Sequence, residues 1–441
     1  MSSFSVLPLN ALSAVEIAER VRSGTVSEDD IVESALRRIA ERDEQIRAWA
    51  CFRKPGSSAL YSTACRNSEG PLAGVPVGIK DIFDTADFPT RYGSRIFSLR
   101  QPDSDALVVA RLRSAGATIL GKTHTTEFAC FEPAATVNPI DVNRTPGGSS
   151  SGSAAAVADK MVPIAIGSQT AGSTIRPAAF CGVYGFKPSY GLVPLDGTMP
   201  LAQSLDTIGI FARSVDDIAL ATSVLSGEKT LGTALPKKPA GIAFLKGPAW
   251  PQVSDETKGL FQSLMDRLGS EVPTRELAQP RGFEQLTDAQ KIVMAREAYK
   301  NFASVIVEKP SLISESFLKL CEHGSQISES AYRKALLLKN EAYLHFIECL
   351  GDGELVLTPA ALGVANPASE GTGDPICNRL WTFLGTPCIS IPVHRPKSLP
   401  LAFQVVSPKG ADDQLLRSAQ WLAEATSTLS IASPIEFSPQ F

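Results

Sequence analysis

No Cys-x-x-Cys pair occurs in this chain, although it carries eight cysteines. Its four histidines, His124, His323, His345 and His394, lie far apart, and none pairs with another at i, i+4. Metal-ligand spacing is therefore missing, and no metal or other cofactor is expected. Scattered thiols in a long chain read as buried and reduced, which points to a reducing cytoplasm rather than a disulfide framework. There is no basic block, and the net charge is −4. That argues against nucleic acid as a partner. No apolar run is long enough to span a bilayer, because the stretch from Ser153 to Gly167 is broken by Asp159-Lys160. The first twenty residues lack a basic n-region and an apolar h-region, so no secretory signal is expected. Internal repeats and low-complexity segments are absent too.

What is present is material for a large core. The chain has 441 residues, 44% of them hydrophobic and 20% charged. Ser13 and Glu16 form a capping-box pattern that opens a helix to about Gly24. A second helix starts at Ser27 and carries Ile31, Leu36 and Ile39 on one face. Short strands are expected at 48–52, at 75–79 with Lys80-Asp81 at the C-terminal end, at 117–120, 183–187 and 209–213. Asp103 or Ser104 should cap a helix through Leu107 to Leu112, and Ser214 one ending at Gly227. Residues 230–239 read as a connection, and 254–351 as mostly helical. Strand-like runs return at 354–357, 388–393 and 401–406, before a last amphipathic helix at 412–425. Strands that alternate with helices imply an α/β fold, a large mixed twisted sheet covered by helices on both faces. Strands near both ends imply one domain over 1–441, with a core at about 70–220. A helical insertion at about 250–351 precedes C-terminal elements, 354–426, that return to the same sheet.

Three motif matches fail on context. Gly116 to Thr123 fits G-x-x-x-x-G-K-[ST], but its middle residues read as a strand that follows a helix, which inverts a phosphate loop. Gly148 to Gly152 fits G-x-S-x-G, but a loop leads into it, and nothing around His394 supports a histidine partner. Ser316 and Lys319 fit S-x-x-K without the companion motifs, so a helix surface is the plainer reading.

The informative stretch runs from Gly147 to Arg176, GGSSSGSAAAVADKMVPIAIGSQTAGSTIR. It holds a Gly/Ser loop, a small-residue helix, an apolar strand and a second Gly/Ser turn. Such a unit can fold back and bring Ser149 and Ser173 to one end of a sheet. Together with Gly78-Ile79-Lys80-Asp81 upstream and Arg176-Pro177-Ala178-Ala179-Phe180-Cys181-Gly182 downstream, this set resembles the amidase signature family. The resemblance is close over about 70–220 and looser toward both ends, through Leu205 to Gly209 and Ile389 to Val393. Gly-Ile-Lys-Asp, Gln169 and Ile175-Arg176-Pro177 together look most like small-substrate, malonamidase-type members.

The resemblance implies an amidase, a hydrolase of linear amides that works through a covalent acyl-serine. By position Ser173 matches the nucleophile, Ser149 the relay serine and Lys80 the base of a Ser–Ser–Lys triad. The family's relay serine sits on a cis peptide bond. The chemistry is coherent in itself. A serine hydroxyl needs a base to take its proton. A lysine at its usual pKa of about 10.4 is protonated at pH 7 and cannot serve. Apolar neighbours Val75, Val77, Ile79, Ile82 and Phe83 could desolvate Lys80 and lower it by about three units. Asp81 would oppose this unless strand alternation turned it away. The turn Thr170-Ala171-Gly172-Ser173 should expose N–H groups as an oxyanion hole, aided by the start of a helix just beyond it.

Three further residues are candidates for substrate binding. Arg176 stands three residues after Ser173, where most members carry arginine at the second. It could clamp a substrate carboxylate or be structural. Gly148 lies beside the relay serine. His124, at a strand end, could line the site or be a loop histidine satisfied by backbone. Ala171 stands where a glycine is usual and dislikes positive φ.

The leading expectation is a metal-independent hydrolase of a small amide, with a small-molecule partner, no membrane, and a homodimer left open. The alternatives are a urea-derivative hydrolase of allophanate or carboxybiuret type, a glutamyl-tRNA amidotransferase A-type subunit, and a catalytically silent binding module.

Overall fold

The computed structural model describes residues 8–54, 67–233, 235–393, 395, 398–427 and 429. His394 lies outside them. Among the described residues, serine side chains cap six of the twelve α-helices. Ser13 and Glu16 make the reciprocal capping box of the helix Ala14–Arg22. Ser27, Ser214, Ser254, Ser314 and Ser328 each accept an N–H from three residues on. The helix Leu107–Ser114 departs from expectation, since neither Asp103 nor Ser104 caps it. Its N-cap is Ala106, with no side-chain bond. The first N–H groups are met instead by distant carbonyls, Ala106 to Asp84 and Leu107 to Asp196.

Among the described residues, eleven strands form one sheet. In chain order they are β1 Trp49–Phe52, β2 Pro76–Lys80, β3 Thr118–Thr123, β4 Ile164–Gln169, β5 Tyr184–Lys187, β6 Thr207–Ala212, β7 Gly241–Phe244, β8 Thr274–Glu276, β9 Glu354–Pro359, β10 Cys388–Val393 and β11 Leu401–Val406. Their spatial order is β1-β3-β2-β4-β6-β5-β10-β11-β9-β7-β8. β2 lies parallel between β3 and β4, whereas β6, β5, β10, β11 and β9 follow antiparallel to one another. The sheet is therefore mixed, as expected. β7 and β8 were not anticipated. They extend the far edge in parallel with β9, and β8 sits within the otherwise helical segment.

Period-two alternation distributes the strand side chains between separate clusters. Leu401, Phe403 and Val405 of β11 enter the largest cluster, while Ala402 and Val406 enter another. On β4, Ile164 and Ile166 face one way and Ala165 the other. Every residue of β2, β4, β6 and β11 is buried, so both faces of the central sheet are covered. Helices Phe283–Glu308, Glu315–Gln326 and Glu329–Glu348 dominate the later segment. Among the described residues no helix is long and apolar enough to cross a membrane, and seven cysteines are free, Cys51 and Cys349 being only half-buried.

Candidate active site

Lys80 is the last residue of β2 and is fully buried. Val77 and Ile79 pack into the large cluster, so alternation turns Lys80 to the opposite face. There its Nζ donates to Ser149 Oγ at 2.7 Å and to Ser168 Oγ at 2.8 Å. Burial pulls the lysine down to about 7, against the opposing charge of Asp206. Asp81 turns the other way and pairs with Lys122 at 3.1 Å. That buried lysine also donates to Phe83 O and Thr90 Oγ1. Lys122 is the lysine of the phosphate-loop pattern, and its ammonium is consumed in the sheet.

Ser149 follows a loop with little room. Gly147 has φ +83°, and a Cβ there would come within 2.8 Å of Pro177 Cα. The Gly148–Ser149 peptide bond is cis. Ser151 Oγ donates back to Gly147 O at 2.8 Å and opens the helix Ser151–Ala158. The carbonyl of Gly148 accepts from Arg176 Nη2 at 2.5 Å, so the helix that follows Ser173 holds the loop that carries Ser149.

The second turn is bracketed by Gln169. Its Oε1 accepts the N–H groups of Thr174 and Ile175 at 2.8 and 3.0 Å. Its Nε2 donates to Thr382 Oγ1 at 2.9 Å, and that hydroxyl donates to Ala171 O at 2.7 Å. The N–H groups of Thr174 and Ile175, where the helix Ile175–Cys181 begins, are thus met by the side-chain carbonyl of Gln169. Among the described residues the N–H groups of Ala171, Gly172 and Ser173 take no protein acceptor, and all three residues line a small cleft that Thr170 and Ser149 also border. Ala171 is not in the positive-φ region, so its side chain fits without strain.

Thr170 Oγ1 donates to Asp206 at 2.6 Å, and the other Asp206 oxygen accepts from Leu201 and Ala202 N–H at 2.9 Å. Burial pushes this carboxyl up to about 6.

Of the three candidate substrate residues, Arg176 lines the cleft. Its Nε donates to Thr372 O at 2.8 Å, and its Nη1 is buried without a partner. Gly148 faces Arg176 and Thr372 and is not part of the cleft lining. His124 is not in the cleft either. It follows β3, one strand outward from Lys80, where its main-chain N–H donates to Ala48 O and its carbonyl accepts from the Gly152 N–H. Lys319 of the S-x-x-K match forms an exposed pair with Glu315.

Three residues that the sequence did not single out complete the geometry. Ser168 is the second hydroxyl on Lys80. Arg379, on the helix Ile376–Leu384, lines the cleft and donates to Gln290 Oε1 at 2.6 Å. Gln290 Nε2 in turn donates to Thr170 O at 2.9 Å. An arginine inside the apolar run ICNRLWTFL was the available signal for Arg379. Among the described residues no cluster of three or more His, Cys, Asp or Glu side chains could hold a metal.

Comparison with known proteins gives a consistent answer. The amidase family model matches residues 30–416. The chain is 32% identical to the A subunit of glutamyl-tRNA(Gln) amidotransferase from Thermus thermophilus, over 96% of this chain and 99% of that protein. It superposes on a crystal structure of an amidase with a TM-score of 0.85 at 27% identity, covering 94% of this chain and all of the other. The crystal structure of the corresponding amidotransferase protein from Thermotoga maritima gives 0.78 at 25% identity, over 94% and 95% of the two chains.

Proposed function

This chain belongs to the amidase family, and from that premise we propose that it cleaves a carboxamide C–N bond through an ester on Ser173. The observation that carries the reading is the buried bond of 2.7 Å between Lys80 Nζ and Ser149 Oγ. An amine at about 7 is neutral in about half of the molecules at neutral pH, and that fraction can accept a proton. In the proposed path Ser173 Oγ attacks the carbonyl carbon as its proton passes to Ser149 and the Ser149 proton to Lys80. The N–H groups of 171–173 receive the oxyanion. Collapse breaks the C–N bond, and the nitrogen leaves with a proton returned through Ser149. Water then attacks the ester by the same relay and frees the acid and Ser173.

Full-length similarity to amidotransferase A subunits favours a protein of that type over a solitary amidase. In that reading the site releases ammonia from a donor carboxamide for an acceptor held by protein partners. The solitary small-amide hydrolase is the second reading. It is favoured by Gln169 and by the placement of Arg176, which follow the malonamidase-like pattern. Both readings begin with the same acyl-serine.

The test is a panel of primary amides, including glutamine and malonamate, given to the purified chain with hydroxylamine as the trap. Hydroxamate and ammonia should form, and Ser173→Ala should abolish both while melting normally. Unchanged turnover in Ser173→Ala would remove the assignment. Turnover of the chain alone at rates that partners do not raise would decide for the solitary enzyme.

A further inference from the structure

Two arginines line the cleft, and among the described residues neither has a carboxylate partner. Arg176 is 4% exposed and Arg379 is 6% exposed. Every side-chain hydrogen bond that Arg176 makes goes to a carbonyl or hydroxyl of Gly148 or Thr372. The bond of Arg379 goes to the amide oxygen of Gln290. Among the described residues, no carboxylate comes within ion-pair distance of either. Asp374 acts on both only from further off, and one of its oxygens accepts the Ile376 N–H at 2.9 Å. Buried cations are ordinarily paired, because an unpaired charge removed from water is costly. The repulsion from Arg379 adds to that cost, and with burial it depresses Arg176.

Arg379 also has a position that Arg176 lacks. Adjoining the cleft, and sharing Thr372 and Pro375 with it, lies a second and larger hollow, lined in part by Glu370 and Asp374. Arg379 borders both spaces and, among the described residues, is the one charged side chain common to their linings. Gln290 accepts from it at one end of its amide and donates to Thr170 O from the other, so the placement of Arg379 is tied to the turn that carries Ser173.

We propose that Arg379 is a specificity-determining residue which, with Arg176, receives the carboxylate of an ω-amido monocarboxylate. The carboxylate lies on the acyl half of the substrate, and ammonia is the leaving group. A planar carboxylate offers two oxygens, one for the bare Nη1 of Arg176 and one for Arg379. This inference rests on the reading that Ser173 turns over an amide in this cleft.

The experiment uses the Ser173→Ala chain, so that binding is read without turnover. Malonamate and succinamate, with butyramide as the uncharged control, are titrated calorimetrically. Adding Arg379→Gln should weaken the two acid-amides by about thirtyfold or more and leave butyramide within about twofold. Gln290→Glu, which keeps Arg379 and gives it a carboxylate partner, should also weaken the acid-amides, and it covers the case in which Arg379→Gln fails to fold. Arg379→Lys should recover part of the loss. Acid-amides that bind equally well to all these variants, that fail to bind at all, or that lose no more than butyramide overturn the proposal. Residual turnover in Ser173→Ala would instead count against the acyl-serine reading, and the binding differences would stand apart from it.

Discussion

Asp81 binds Lys122 at 3.1 Å across the parallel pair β2–β3, and in doing so keeps its carboxylate away from Lys80, its neighbour in the chain. One residue of strand alternation separates a structural ion pair from an amine that burial pulls down to about 7. Had Asp81 faced the same side, its charge would have held Lys80 protonated. Replacing Asp81 by Asn should cost about 3 kcal/mol, because it strands the Lys122 ammonium in the sheet. Chemical denaturation measures this, and a loss below about 1 kcal/mol would show that the pair is dispensable.

The acid limb of activity should follow Lys80. The amine works as a base only when neutral, so kcat/KM should rise with pH through about 7. Lys80→Arg, which stays protonated, should lower kcat by about 10²–10⁴-fold across the whole range. A wild-type limb that rises only above about pH 9 would mean that the lysine is not desolvated in solution.

Ser168 should tune that limb. It accepts a hydrogen bond from Lys80, which favours the charged amine. Ser168→Ala should therefore move the acid limb to lower pH. It should also reduce kcat by about tenfold, because the amine is no longer held on two sides. A fall in kcat with an unmoved limb would assign Ser168 a packing role only.

Gly172 tests the oxyanion turn. A Cβ there would stand 2.6 Å from Asn378 Oδ1 and 2.7 Å from Pro375 Cβ. The turn must shift, and the N–H groups of 171–173 shift with it. Gly172→Ala should lower kcat by about 10²-fold with a smaller change in KM. Steady-state kinetics on one amide decide this, and activity within about twofold of wild type would place the oxyanion elsewhere.

Much of this was legible because short-range chemistry determined it. Serine caps, the small-residue turns and the apolar strand leading to Lys80 are local features, and the structure realises them within a residue or two. The elements that escaped reading depend on distant partners. β7 comes shortly after a Pro-Lys-Lys-Pro stretch and is a strand because β9 pairs with it. Ala106 caps a helix without a polar side chain because Asp84 and Asp196 supply carbonyls from elsewhere. His124 adjoins the lysine pattern in sequence, yet the order β1-β3-β2-β4 sets it one strand away from the cleft. Arg379 and Gln290 meet only because two helices far apart in the chain pack together, so no spacing rule could have joined them.

The cleft has two sources. The groups assigned to bond making and breaking all come from residues 80–173, within the parallel strands β2 and β4 and their loops. Much of the opposite wall, including Met294 and Arg379, comes from helices far later in the chain. Such a division of labour lets a lineage exchange one wall, and with it the molecules admitted, while the reactive hydroxyls and amine are inherited unchanged.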